Sequence, residues 1–184
     1  MSKRTAGNSG PAFEVRHSPI HGYGVFALRR ILAGTRILEY LGERVSHEEA
    51  DQRYEHKMAD DNHTFLFTVD DRLVIDAGVN GNEARYVNHS CDPNCESVTV
   101  RRRIFIDALR TIEPGEELNY DYSIQRDAED AANIDEVFAC FCGASRCRGS
   151  MLEPRPKPRR AATRRSRTTR RPRTAKRKQK RQKG

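Results

Sequence analysis

The 184-residue sequence contains no tryptophan and no apolar run long enough to span a bilayer. Its first eleven residues are polar and small, so they include no leader with an apolar core. Lysine is scarce in residues 1–150, where only Lys3 and Lys57 occur. Acidic residues are scarce in residues 151–184, where Glu153 stands alone. The lack of a membrane-spanning run argues against membrane insertion, and the lack of an apolar leader argues against secretion. We therefore expect a soluble intracellular protein.

Charge divides the chain into two parts of opposite sign. Of the 34 lysine and arginine residues, 16 lie in residues 151–184, which carry a net charge of +15. Residues 1–150 keep 18 basic and 25 acidic residues, a net charge of −7. An acidic body suits a basic peptide substrate, although ordinary solvated surface gives the same composition. A basic tail suits nucleic acid or another polyanion.

The basic tail, residues 151–184, is built mainly from Arg, Lys, Pro, Ala and Thr and is predicted to be disordered. Its charge density alone predicts salt-sensitive, sequence-independent binding of duplex nucleic acid. It contains no aromatic residue, which argues against base stacking on single strands. A localisation signal or a solubility feature is the alternative. Residues 1–12 are predicted to be a flexible leader.

Short β-prone runs separated by Gly and Pro signals predict a mostly β protein of several small sheets. Asp70-Asp71 lies between two such runs and predicts a hairpin. Ser46 and Glu49 form a capping-box signal for one surface helix that extends to about Met58. There is no βαβ alternation, which excludes a doubly wound nucleotide-binding fold. The predicted strands are residues 13–16, 24–29, 36–40, 65–69, 73–75, 98–100 and 104–108.

Three of the five cysteines lie within eight residues, at Cys140, Cys142 and Cys147. Such a cluster fits a metal site in a reducing compartment better than a disulfide framework. Tetrahedral structural zinc requires four ligands, so a fourth must come from elsewhere in the chain.

Several further blocks precede this cluster in a characteristic order. They are His21-Gly22-Tyr23-Gly24-Val25-Phe26, Glu39-Tyr40-Leu41-Gly42-Glu43, Val74-Ile75-Asp76-Ala77, Arg85-Tyr86-Val87-Asn88-His89-Ser90-Cys91 and Asn119-Tyr120-Asp121-Tyr122. From about Phe13 to Gly149, the chain resembles a SET-domain protein-lysine N-methyltransferase with a post-SET zinc-binding segment.

The resemblance implies a SET-domain, or β-clip, fold of small sheets with one or two short helices. In that fold the C-terminal segment threads through a loop near the Asn-His-Ser-Cys block as a pseudoknot. It also implies a SET domain at residues 13–124 and an acidic linker with the post-SET segment at residues 125–150. Residues 123–138 are acidic and helix-permissive, and either a solvated linker or one wall of a basic-peptide groove fits them.

The implied cofactor is S-adenosylmethionine, and the implied metal is Zn²⁺. Glycines in the family's cofactor loop let the backbone approach the ligand closely. The fourth zinc ligand implied is Cys91, which leaves Cys95 as a free thiol, with ligand exchange between the two as an alternative. The candidate cofactor contacts are Gly22, Tyr23, Gly24, Arg85, Tyr86, Asn88 and His89.

The resemblance assigns three tyrosines to catalysis. Tyr122 is the implied catalytic tyrosine, which orients and polarises the attacking amine, and Tyr40 is an implied wall of the lysine channel. Tyr120 occupies the family's Phe/Tyr switch position, where tyrosine favours mono- or dimethylation. Asn119 departs from the family, which commonly has threonine there, and no cysteine cluster precedes Phe13.

Methylation of a histone or a histone-like basic protein is the expected function. A catalytically silent chromatin or nucleoid binder that uses the basic tail is the alternative. The expected location is the nucleus or chromosome in a eukaryote and the cytoplasm or nucleoid in a bacterium. Automethylation is a further hypothesis, because most lysines lie in the tail, at Lys157, Lys176, Lys178, Lys180 and Lys183.

Overall fold

The computed structural model describes residues 10–55, 64–127 and 130–155. Three small sheets make up most of this part of the chain, so the predicted mostly β fold is confirmed. The strands are β1 (Phe13–His17), β2 (Tyr23–Ala27), β3 (Arg36–Tyr40), β4 (Glu43–Val45), β5 (Leu66–Asp70), β6 (Leu73–Asp76), β7 (Asn88–His89), β8 (Cys95–Val100), β9 (Arg103–Ala108) and β10 (Glu117–Tyr120).

The sheet that matters most for the site has the strand order β1-β2-β10-β7. Strand β10 lies between two segments that precede it by many residues. It pairs antiparallel with β2 through Leu118 and Val25, and parallel with β7 through Tyr120 and His89. This inserted position is the one that the resemblance implies for the C-terminal segment, and it brings the motifs of three distant blocks together.

The other two sheets have the strand orders β3-β9-β8 and β4-β6-β5. The hairpin predicted around Asp70-Asp71 is present as the antiparallel pair β5 and β6. The pair β8 and β9 is longer than the sequence predicted, because pairing extends from Val100 and Arg103 back to Cys95 and Ala108.

The core is built around β9, β10 and β2. Ile104, Ile106, Leu118 and Val25 are fully buried. Phe105 points to the other face of β9, where the guanidinium groups of neighbouring arginines cover its ring. Cation–π contacts and the apolar stems of such side chains shield an aromatic ring that a small sheet cannot bury by itself.

One helix of two turns, α1 (His47–Tyr54), begins where the capping signal predicted. Ser46 Oγ accepts a hydrogen bond from the Glu49 backbone N–H at 3.1 Å, which caps the first turn. The Glu49 carboxylate pairs with Arg53 instead of returning to the cap. The predicted extension to Met58 falls on residues 56–63, outside the described residues. Neither helix of the described chain has the length and hydropathy that crossing a membrane requires.

The segment after β10 folds back onto the body. It contains the short helix α2 (Ile134–Val137). Two isolated β-bridges lie in this region: Ile124 pairs with Leu152 in parallel, and Ala139 pairs with Ser150 in antiparallel orientation. The boundary predicted after residue 124, between the SET domain and the post-SET segment, stays a prediction. These contacts show that the segment after the boundary packs against the residues before it. The tail predicted to be disordered begins at residue 151, but residues 151–155 are described, and Leu152 among them is buried and pairs with Ile124. The rest of the predicted tail, residues 156–184, and most of the predicted leader, residues 1–9, lie outside the described residues.

Candidate functional site

A single large cleft of about 1890 Å³ collects most of the predicted site residues. Its lining includes the glycine loop, the tyrosine cluster, helix α1 and the segment from Ser123 to Phe141. The predicted residues that line it are Gly22, Tyr23, Tyr40, Arg85, Tyr86, Asn88, His89, Tyr120, Tyr122 and Cys140. Gly24, Cys91, Cys142 and Cys147 lie outside the lining. Gly24 packs against a carboxylate behind the cleft, and the three cysteines belong to a cluster of sulfur atoms.

The glycine loop before β2 is shaped by two glycines for two reasons. Gly22 has a positive φ of 46°, a backbone conformation that side chains disfavour. Gly24 lies directly against the Glu117 carboxylate. A Cβ at this position would sit 2.2 Å from Glu117 Oε1 and would clash with it. Gly24 therefore admits the Glu117 side chain beneath the loop rather than contacting the cleft.

Glu117 is a site residue that the sequence did not reveal. Its two carboxylate oxygens accept hydrogen bonds from Ser18 Oγ at 2.8 and 2.9 Å, and Oε1 also accepts from Asn88 Nδ2 at 2.8 Å. Asn88 Nδ2 also lies 3.0 Å from the Tyr23 carbonyl oxygen. The Glu117 and Asn88 side chains thus fasten the glycine loop to β7 and β10. The available signal was that strand alternation puts Glu117 on the face of β10 that carries Asn119.

His89 is buried and makes contacts on both ring nitrogens. Nδ1 accepts from the Tyr122 backbone N–H at 3.1 Å, and Nε2 lies 3.4 Å from Cys91 Sγ. Burial lowers the pKa of His89 to about 4, although the nearby Asp121 carboxylate opposes the shift. The ring is therefore neutral near pH 7, with Nε2–H donating to the sulfur, and it joins the catalytic segment to the cysteine cluster.

Three tyrosine side chains meet at one place in the cleft. The Tyr122 hydroxyl donates to the Val87 carbonyl oxygen at 3.0 Å, and the Tyr40 hydroxyl donates to the Phe65 carbonyl oxygen at 2.9 Å. The rings of Tyr120 and Tyr122 are 4.9 Å apart. Burial raises the pKa of all three phenols above the usual value. The hydroxyls therefore stay protonated near neutral pH, where they can orient a ligand but are not available as bases.

The Tyr120 hydroxyl differs from the other two. Its side chain is only 6% exposed, yet the hydroxyl makes no hydrogen bond to any of the described residues. The ring stacks on Phe67 with centroids 6.1 Å apart. Because Tyr120 lines the cleft, its free hydroxyl is available to a polar atom that enters the cleft.

Arg85, Tyr86 and Tyr23 form a polar and aromatic wall near the glycine loop. The Tyr86 ring contacts the Tyr23 ring at 5.8 Å, and Arg85 donates to the Tyr86 hydroxyl and to the Ala77 carbonyl oxygen. The Arg85 Nε is buried without a hydrogen-bond partner in the described part of the chain. This wall offers ring faces and one open donor to a ligand.

The four predicted zinc ligands come together although Cys91 is 49 residues from Cys140. The four Sγ atoms of Cys91, Cys140, Cys142 and Cys147 all lie within 4.8 Å of one another. The Cys91 sulfur is 3.7 Å from that of Cys140 and 4.0 Å from that of Cys147. A tetrahedral zinc with bonds of about 2.3 Å places its sulfur ligands roughly 3.8 Å apart, so this donor set fits zinc.

Cys95 is separate from the cluster. It lies in β8, fully buried, and burial raises the pKa of its thiol to about 12. The interpretation of Cys95 as a free buried thiol agrees with this position.

Arg148 is the second site residue that the sequence did not reveal. Its guanidinium makes a bidentate ion pair with Asp121 at 2.6 and 2.9 Å, and its backbone N–H donates to Cys91 Sγ at 3.4 Å. Burial opposes the ionisation of Asp121, but the Arg148 guanidinium and the Ser123 backbone N–H together outweigh it and lower the pKa of that carboxyl. Arg148 therefore ties the cysteine cluster to the residue beside Tyr122.

Asn119, the departure from the family pattern, bonds within the fold. Its backbone N–H donates to Asn94 Oδ1 at 2.9 Å, and its own Oδ1 accepts from the Asn94 N–H at 3.1 Å. This reciprocal pair fixes the loop after the Asn-His-Ser-Cys block against β10.

Acidic side chains surround the outer part of the cleft. Six of them are exposed and have no ion-pair partner within the described ranges. We call this set the acidic rim; it consists of Glu48, Asp51, Glu55, Asp71, Asp127 and Glu136. A seventh lining acid, Asp70, pairs with Arg102 and is not counted in it. The carboxylates of the rim make the electrostatic potential at this border of the cleft negative.

Comparison with known proteins gives a consistent family. A model of the SET domain matches residues 22–123. The chain is 42% identical over 137 residues to "Histone-lysine N-methyltransferase, H3 lysine-4 specific" of Saccharomyces cerevisiae, which spans 72% of this chain and 12% of that protein. It is 41% identical over 138 residues to "Histone-lysine N-methyltransferase trithorax" of Drosophila virilis, and the aligned region covers 73% of this chain and 3% of that protein. The chain thus covers a small part of each relative's length.

Proposed function

The chain belongs to the SET domain family, and on that premise we propose that it is an S-adenosylmethionine-dependent protein-lysine methyltransferase. The observation that carries the proposal is the cluster of Tyr40, Tyr120 and Tyr122 in the same cleft as the glycine loop. Such a cluster has aromatic walls, which favour the neutral form of a lysine amine by excluding water. It also has hydroxyl groups, which can align that amine. The names of the relatives support the same reaction for this chain.

The aromatic walls address the protonation of the substrate. A free lysine is neutral in only ~10⁻³ of molecules near pH 7. Tyr40, Phe67 and Tyr120 surround a position in the cleft where an ammonium group loses its hydration. Desolvation of this kind disfavours the charged form and lowers the amine's pKa.

Tyr122 is the residue we propose to align the amine. Its backbone is held by His89 and its hydroxyl by the Val87 carbonyl oxygen, so the ring has little freedom to move. The hydroxyl oxygen keeps a lone pair that can accept an N–H of the amine. A fixed acceptor that orients the nucleophile contributes to the rate by positioning.

The cofactor fits the wall beside the glycine loop. S-adenosylmethionine, when bound, supplies an electrophilic methyl group on a positively charged sulfur, which a neutral amine displaces in line. The proposed contacts are the backbone around Gly22, the Tyr23 and Tyr86 rings and the backbone of Asn88 and His89. The unpartnered Arg85 Nε is a donor that such a polar ligand can satisfy.

Zinc is the metal we propose for the four cysteines, on the strength of their sulfur spacing. Backbone N–H groups of Arg148 and Gly149 donate to Cys91 and Cys147 sulfurs, which stabilises thiolate ligands. The bound metal would hold residues 140–149 against the catalytic segment through the bonds from Arg148.

The proposed substrate is a histone or a histone-like basic protein, with histone H3 as the first candidate because the relatives' names specify H3 lysine-4. The acidic rim provides the complementary charge. Mono- or dimethylation is the proposed product, because the Tyr120 hydroxyl occupies space beside the amine and holds it by a hydrogen bond. A chromosomal location follows if the substrate is a histone.

For the basic tail we propose salt-sensitive binding to duplex nucleic acid, which keeps the enzyme near its substrate. Tail lysines are also proposed as sites of automethylation. Mass spectrometry of the chain after incubation with the cofactor tests this; unmodified tail lysines would contradict it.

The experiment that tests the proposed activity is transfer from labelled S-adenosylmethionine to a panel of histones, comparing the native chain with Tyr122→Phe. We expect transfer to fall at least about 100-fold in the variant, within the range for losing one acid–base or orienting group. Retained cofactor binding by Tyr122→Phe is the control for folding. A native chain that neither transfers methyl groups nor binds the cofactor would favour a silent chromatin or nucleoid binder.

A further inference from the structure

The acidic rim is a binding surface whose charges have no partner among the described residues. Internal ion pairs are common elsewhere in the fold, as between Glu49 and Arg53 or Arg126 and Asp135. The six rim acids, by contrast, are exposed around a cleft whose floor is apolar and aromatic. An apolar floor with an unneutralised acidic border suits an extended chain rich in lysine and arginine.

The described chain ends beside this cleft. Met151 lines the cleft, and the Glu153 backbone N–H donates to the Ile124 carbonyl oxygen at 2.8 Å. Arg155, the last described residue, pairs with Asp135 on helix α2 at 2.9 Å. Residues 156–184 therefore start a few residues from the cleft, at a point fixed to its wall.

The sequence of residues 156–184 complements the rim in charge and in length. It contains 15 basic residues and no acidic one. Lys176 is 21 residues beyond Arg155, and an extended chain of that length spans up to about 70 Å. Every part of the cleft is within reach of Lys176 and the residues after it.

The cleft also contains a group that suits a lysine side chain. Tyr120 lines the cleft, its hydroxyl has no hydrogen-bond partner within the described chain, and its ring adjoins the rings of Phe67 and Tyr122. A lysine stem can lie along these rings while its nitrogen bonds to the hydroxyl.

We propose that residues 156–184 of the same chain dock along the acidic rim and present a lysine from the Lys176 to Lys183 stretch to the Tyr120 hydroxyl, in competition with a basic substrate. The competition rests on the proposed function, whereas the docking contact does not. A tethered segment acts at an effective concentration on the order of millimolar. The tail is therefore a built-in inhibitor of substrate binding that a polyanion can remove.

The docking contact can be mapped by zero-length carbodiimide cross-linking of the full chain, followed by peptide mass spectrometry. The map is simple, because five of the seven lysines lie in residues 156–184. We expect links from Lys176 to Lys183 to favour the rim acids over Glu14 and Glu96, which are exposed away from the cleft lining. Duplex DNA or high salt should lower the yield, since both screen or occupy the tail charges.

Mixing ¹⁴N and ¹⁵N chains separates the outcomes. Cross-links to the rim that join two ¹⁴N peptides or two ¹⁵N peptides, without mixed pairs, support docking by the chain's own tail. Mixed-isotope links only, or links spread over acidic residues according to exposure, would overturn it. This readout needs no methyl transfer, so it can fail or succeed independently of the proposed activity.

The competition is tested by kinetics on a full-length variant with Lys176→Gln, Arg177→Gln, Lys178→Gln and Lys180→Gln. We expect its KM for a basic peptide to fall by about fivefold or more, in the usual range of coupling between sites, with kcat unchanged. Thr168→Ala with Thr169→Ala is the matched control that leaves the tail charge intact. An unchanged KM would refute competition even where cross-linking detects the contact.

Discussion

Charged and polar side chains near the glycine loop are bonded to one another, whereas those of the acidic rim face solvent without counter-ions. Glu117 accepts hydrogen bonds from the Ser18 hydroxyl and the Asn88 amide, and Asp121 forms a bidentate ion pair with Arg148. Neither of these carboxylates lines the cleft, whereas the rim acids do line it and have no ion pair in the described part of the chain. The bonded region behind the glycine loop is organised before any ligand arrives, and the rim leaves its charges open to a ligand.

This difference separates two kinds of binding. Preorganised groups lose little entropy on binding and give fixed geometry, as a methyl donor requires. Unpaired surface charges give attraction and on-rate with loose geometry, as a variable basic peptide requires. Changes in the bonded region should therefore affect cofactor, metal and rate, and changes in the rim should affect peptide affinity alone.

The largest effect is expected from breaking the cysteine cluster with Cys91→Ser. Cys91 accepts hydrogen bonds from His89 and Arg148 in addition to its place among the four sulfurs. We expect loss of bound zinc and a fall in methyl transfer of at least about 100-fold, as the metal orders residues 140–149. Metal analysis and transfer assays provide the measurement, with Cys95→Ala as the control that retains zinc. Full metal content in Cys91→Ser would refute the proposed ligand set.

A smaller effect is expected when the bonded region loses one carboxylate through Glu117→Gln. The neutral amide retains one acceptor oxygen, so the hydrogen bonds from Ser18 and Asn88 lose the negative charge that strengthens them. Bonds to a charged group contribute about 1.5–3 kcal/mol each, so we expect the dissociation constant of S-adenosylhomocysteine to rise roughly tenfold by calorimetry. Glu113→Gln, on an exposed residue distant from the loop, should leave it unchanged. Equal affinities in the two variants would mean that Glu117 does not position the loop.

Neutralising part of the rim with Asp51→Asn and Glu55→Gln should raise the KM for a basic peptide about threefold at low salt. Exposed pairs contribute only about 0.2–1 kcal/mol each, and salt screens them. The comparison is made in the chain with the neutralised tail, so that the tail does not compete. Glu96→Gln is the control. A change in cofactor affinity, or none in KM, would contradict the division between the two regions.

The smallest effect on rate and the largest on product are expected for Tyr120→Phe. Removing the unpartnered hydroxyl leaves room for an additional methyl group beside Tyr122. We expect trimethylated product to appear by mass spectrometry while kcat stays within about twofold. The product mass from the native chain is the reference, and an unchanged product would remove Tyr120 from the control of methylation state.

The sequence predicted those parts of the site that lie in short motifs. The spacing of Cys140, Cys142 and Cys147 predicted a metal site, and Ser46 with Glu49 predicted the start of helix α1. The Glu117 and Ser18 bond joins residues 99 positions apart, and it depends on β10 pairing with β2. Such contacts follow from the fold, so local patterns in one sequence did not reveal them.

The same limit applies to the connection between Arg148 and Asp121. Each residue sits inside or beside a recognisable motif, but their pairing depends on how residues 123–155 fold back across the body. The helix-permissive character of residues 123–138 was visible in the sequence. The position of the short helix, with Glu136 on the cleft and Asp135 paired with Arg126 and Arg155, depends on contacts between distant residues that local sequence does not show.

The most direct measurement is a crystal structure of the full chain with S-adenosylhomocysteine and a lysine-containing histone H3 peptide. We predict the cofactor product against the glycine loop and Asn88, the peptide backbone along the acidic rim, and the lysine nitrogen within hydrogen-bond distance of Tyr120 or Tyr122. A peptide bound elsewhere, or a cofactor product outside this cleft, would contradict the assignment of both regions.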